Sequence, residues 1–94
     1  MDEQEATRVL RDELFRYRGR TFTALQRLIG APEAYEVIGP SGAVYQVEIE
    51  AMWDARIGRN LRVLGSIDDG GGWRAFMPLC EDFIMSPDGT IVGE

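Results

Sequence analysis

The chain has no lysine, no histidine and a single cysteine, Cys80, in 94 residues. Each absence removes a chemistry. Without lysine there is no Schiff base and no P-loop phosphate grip. Without histidine there is no imidazole base, no Ser-His-Asp triad and no His-ligated zinc within the chain. One cysteine forms no intramolecular disulfide and no multi-thiolate metal site. Its expected place is buried, as a small apolar residue, and Glu81 and Asp82 beside it work against a reactive thiolate. Long apolar runs are also missing, and residues 1–5 are polar and acidic, unlike a secretory leader. These features point to the cytoplasm and away from a membrane partner.

What is present has the composition of a globular protein, 45% apolar and 28% charged. The length suits one domain over residues 1–94, with a core that buries about 60–65% of the unfolded surface. A helix is predicted from about Glu3 to Arg18. Ala6, Val9, Leu10, Leu14 and Tyr17 recur at helical spacing, Phe15 widens the stripe, and Asp12 and Arg16 stand in the order of a surface pair. A short second helix is expected around Leu25, Leu28 and Ile29, with Thr23 and Gln26 at capping-box spacing.

From Tyr35 the rhythm changes to period two. Gly39-Pro40-Ser41-Gly42 reads as a turn. Across 44–53, Tyr45, Val47, Ile49, Ala51 and Trp53 alternate with Gln46, Glu48 and Glu50. Leu61, Val63 and Ile67 mark the next strand, and Trp73, Ala75, Met77 and Leu79 another. Ser86-Pro87-Asp88-Gly89 reads as a turn between Phe83-Ile84-Met85 and Thr90-Ile91-Val92. The expected architecture is α+β: an N-terminal helix and a short second helix on an antiparallel meander of four to five strands. Val47, Ile49, Trp53, Val63, Ile67 and Trp73 should form the sheet side of the core, with Val9, Leu10 and Leu14 on the helix side.

Three features of the chain bear on function. Asp68, Asp69, Glu81, Asp82 and Asp88 fall in predicted connections and are candidates for a divalent cation or a carboxylate-based hydrolase or lyase. Their spacing is not that of an EF-hand, and aspartate before glycine is ordinary turn chemistry. Gly70-Gly71-Gly72 precedes a strand and follows two aspartates, which argues against a phosphate loop. Arg16, Arg18, Arg20 and Arg27 lie in an acid-free stretch and could grip nucleic acid. The net charge of −6 opposes this, and the arginines have the chain's own carboxylates to pair with. The first 33 residues are neutral, so the whole excess of acid belongs to the remaining 61.

Parity puts Met52, Leu64 and Phe76 among Arg62 and Arg74 on the sheet face away from the helix, and Glu48 and Glu50 on that face near Arg62. Mixed apolar and charged residues are typical of a contact surface. The sequence favours a non-catalytic interaction or regulatory module working through that face, with a protein partner or a second copy and no cofactor.

Overall fold

A computed structural model describes residues 1–71 and 78–93. The first helix, α1, spans Glu3–Tyr17. Asp2 caps it by accepting a hydrogen bond from the Glu5 backbone N–H at 3.0 Å. Its apolar stripe buries Ala6, Val9, Leu10, Leu14 and Tyr17. Phe15 is not part of that stripe. It follows Leu14 by about 100° around the helix and is 70% exposed, with the Arg18 guanidinium 5.9 Å from its ring. Arg16 pairs with Glu13 at 3.4 Å, one residue on from the expected Asp12.

The second helix, α2, covers Phe22–Gln26. Its cap is Thr21, not Thr23. Thr21 has the extended backbone that a cap requires and accepts from the Ala24 N–H at 3.1 Å, so Thr23 falls inside the first turn. Leu25 and Leu28 join the core, with Phe22 and Ile29 packed at its margin.

Four strands follow: β1 (Glu33–Ile38), β2 (Val44–Trp53), β3 (Leu61–Asp68) and β4 (Leu79–Met85). They form an antiparallel meander in the order β1-β2-β3-β4, so the α+β architecture is as expected. Val47 faces Ile67, Ile49 faces Gly65 and Ala51 faces Val63 across β2 and β3. These residues alternate with half-buried or exposed neighbours, the period-two signature of a one-sided sheet.

Val47, Ile49, Val63 and Ile67 are buried with Val9, Leu10 and Leu14. Trp53 is only half-buried. It ends β2, where its ring meets Phe22 at 6.2 Å between centroids instead of reaching the core centre. Trp73, Arg74, Ala75, Phe76 and Met77 lie outside the described residues.

Three expectations at the C-terminal end need correction. Glu81 and Asp82 are not in a connection but within β4, where charged side chains are tolerated at an edge position. Cys80 is exposed, because strand parity places it opposite Ser66 on the outer face. The predicted strand over 90–92 contracts to a single bridge, Ile91 to Met85, and a Val92 N–H bond of 2.8 Å to the Ile84 carbonyl.

Helix and sheet meet closely at one point. A Cβ on Gly65 would lie 2.8 Å from Leu10 Cδ1 and 3.1 Å from both Ile49 Cδ1 and Leu14 Cγ. The missing side chain therefore sets how near α1 can approach. The helix lies over β2, β3 and β4. The inward residues of β1 (Glu33, Tyr35 and Val37) stay half-buried.

Candidate interaction surface

Both helices contribute to one buried cluster on one side of the sheet. The opposite face is set by register. Met52 stands opposite Arg62, Glu50 opposite Leu64, and Glu48 opposite Ser66. On the next pair Arg62 faces Ile84 and Leu64 faces Asp82. Met52, Arg62 and Leu64 thus share the outer face, as parity predicts, together with Glu48 and Glu50. Met52 is 39% exposed, and Leu64 and Ile84 are half-buried.

Arg62 does not pair with Glu48 or Glu50. It donates to Asp54, just past the end of β2, at 3.0 Å, and to Asp82 diagonally across on β4. Asp82, and then Asp54, hold the guanidinium further above its usual range. The pairing leaves Glu48 and Glu50 with no ion pair among the described residues. Cys80 is a poor nucleophile here, because partial burial of the sulfur and the Glu50 carboxylate push its thiol up.

The candidate metal carboxylates are scattered. Asp68 accepts from the Gly70 N–H at 2.6 Å and Asp69 from the Gly71 N–H at 3.2 Å. Asp88 accepts from Ser86 Oγ and from the Thr90 N–H at 2.9 Å, and these bonds hold it down to about 2. Ile67 pairs with Leu79 and Leu61 with Met85, so Asp68 and Asp88 lie at opposite ends of the sheet. Six residue steps at about 3.3 Å put those ends roughly 20 Å apart. Among the described residues, no group of three metal-ligating side chains converges.

An open groove of ≈ 820 Å³ runs between α1 and β1. The Tyr17 hydroxyl donates to Glu33 Oε1 at 2.6 Å, and Arg20 grips both Glu33 oxygens at 3.2 and 3.1 Å. The Tyr35 hydroxyl donates to Glu13 at 3.0 Å. Arg20, with Tyr17 behind it, holds the Glu33 carboxyl below its ordinary value. Burial, and then Glu33, raises the Tyr17 phenol far above its own. Both shifts move away from neutrality, the opposite of what acid–base catalysis requires. The groove is a structural lock.

Of the arginine set of residues 14–32, Arg16 and Arg20 both border this groove. Arg16 and Arg20 are paired to carboxylates, and Arg18 lies 5.6 Å from the Phe83 ring centre.

One feature escaped the periodicity argument. The β2–β3 loop is closed by an Asp54 N–H bond of 2.9 Å to the Asn60 carbonyl and an Arg59 N–H bond of 3.2 Å to the Arg56 carbonyl. Ala55 (φ 62) and Gly58 (φ 82) bend it through left-handed backbone. At its tip Ile57 is 85% exposed, between exposed Arg56 and Arg59. An isoleucine among Asp54, Arg56, Arg59 and Asn60 in a seven-residue connection was the available signal.

The loop shares its end of the molecule with α2, as the Phe22–Trp53 contact shows. At the other end Glu5 accepts from the Ser41 N–H at 2.9 Å, Ser41 Oγ at 2.7 Å and the Tyr45 hydroxyl at 2.6 Å, pinning α1 to the β1–β2 turn.

No family model, no curated protein and no solved structure matches this chain. No described helix is long and apolar enough to cross a membrane.

Proposed function

We propose that this protein is a non-catalytic interaction module that binds a protein through the outer face of its sheet. One observation carries the reading. Both helices are spent on one face, and the other presents Met52, Leu64 and Ile84 among Glu48, Glu50 and Arg62. Apolar centres ringed by charge, with arginine and methionine enriched, characterise protein contacts. The scattered aspartates and the paired arginines give the hydrolase and nucleic-acid alternatives no comparable support.

Sedimentation velocity across the micromolar range tests the reading, with Met52→Asp beside the wild type. Concentration-dependent association that Met52→Asp abolishes, with an unchanged thermal melt, supports it. Undiminished association of the variant overturns it. Loss of folding would make Met52 a core residue and overturn it equally.

A further inference from the structure

We infer that the occupant of the outer sheet face is the β2–β3 tip of a second copy of this chain, with Ile57 set between Met52 and Leu64 and Arg56 and Arg59 set against Glu48 and Glu50. The inference rests on the interaction-module reading and names its partner.

Charge complementarity is the first argument. Among the described residues four arginines pair within the chain: Arg11 with Glu81 at 2.9 Å, Arg16 with Glu13 at 3.4 Å, Arg20 with Glu33 at 3.1 Å and Arg62 with Asp54 at 3.0 Å. Arg56 and Arg59 at the tip and Glu48 and Glu50 on the face have no ion pair among the described residues. The two unpaired sets have opposite sign, and each accompanies exposed apolar surface. A scattered exposed isoleucine is ordinary. This one is held out on a hydrogen-bonded loop with two left-handed residues, so little conformational freedom remains to be lost on docking.

Reach is the second argument. Glu48 lies six residues up β2 from Asp54, or about 20 Å at about 3.3 Å per residue. The connection over 54–60, closed on itself by the Asp54–Asn60 bond, is too short to fold back over that span. An ion pair between the two sets therefore requires another molecule. Tip and face lie at one end and near the middle of the same strands, so a two-fold axis allows each tip to meet the other copy's face. The pairing closes at two copies with two equal contacts.

Charge reversal tests this directly. The tip variant is Arg56→Glu with Arg59→Glu, and the face variant is Glu48→Arg with Glu50→Arg. All four positions are solvent-facing or half-buried, so the fold should survive, as checked by circular dichroism. By sedimentation velocity the wild type should dimerise, and each variant alone should be monomeric. An equimolar mixture should form a heterodimer, because both contacts again join opposite charges. Ile57→Ser should weaken the wild-type dimer about tenfold.

A monomeric wild type, variants that still dimerise alone, or a mixture that stays monomeric would each overturn the inference. If Met52→Asp abolishes association while the tip variant leaves it intact, the tip assignment falls and the face reading stands. If the tip variant abolishes association and both face changes leave it intact, the face reading falls too. A monomeric wild type that floats with anionic phospholipid vesicles, and loses this in the tip variant, would give the tip to a membrane surface and overturn the self-association.

Discussion

The two faces of the sheet are built from the same strands in the same register, yet they solve different problems. On the inner face Tyr45, Val47, Ile49, Leu61, Val63 and Ile67 are at most 2% exposed and belong to one buried cluster with residues of α1. On the outer face polar and apolar residues alternate across strands, and Arg62 spans Asp54 and Asp82. The inner face is organised by volume, with Gly65 supplying the vacancy that Leu10 fills. The outer face is organised by charge. Substitutions should therefore be costly on one face through lost packing and cheap on the other, where the effect falls on association.

The largest expected effect is in the helix–sheet seam. Leu10→Ala removes a side chain with no exposure, directly over Gly65, and should destabilise the fold by about 2–5 kcal/mol in urea unfolding. A loss well under 1 kcal/mol would break the distinction between the faces.

Next comes the pH dependence of the clamp that joins helix to sheet. The Tyr45 hydroxyl, then Ser41, bind the ionised Glu5 carboxylate and depress its folded-state pKa. A depressed folded value contributes stability that is present above the ordinary carboxylate range and is lost as pH falls through the lowered value. Glu5→Gln should flatten the acid limb of a stability–pH curve measured by urea midpoints. An unchanged limb would remove the clamp from the account. On the alkaline side, burial and then Glu5 push the Tyr45 phenol up to about 12. That contribution is complete below the ordinary tyrosine value of about 10, and it is lost as pH rises towards the raised one.

The smallest effect belongs to the outer face. Met52→Ser should change the unfolding free energy measured in urea by no more than about 0.5 kcal/mol. A larger loss would mean that this methionine is packed, and the contrast between the faces would narrow.

Much of the inner face was legible in the sequence, because alternation in 44–53 and 61–67 and the helical spacing of Val9, Leu10 and Leu14 each report one buried side. Two local details were not. Thr21 and Thr23 are chemically equal as caps, and only the backbone angles of the turn choose between them. Glu81 and Asp82 read as a loop by charge, yet they continue β4 because its neighbours on β3 hold the ladder.

Of the candidate site, parity correctly grouped Met52, Arg62 and Leu64 with Glu48 and Glu50. The partners of Arg62 depended on a diagonal across two strands, which alternation does not encode. The projecting Ile57 belongs to no period at all.

Glu33 carries one more consequence. It lies on β1, one of the two outer strands, yet points to the inner side, where Arg20 and Tyr17 hold its charge. An outer strand is a template on which a foreign strand can stack and begin a fibril, and an inward charge near its end is a known deterrent. A strand added there would have to seal an ionised carboxylate and its arginine beneath fresh backbone, at the full desolvation penalty. The charge therefore works against amyloid-like growth along β1.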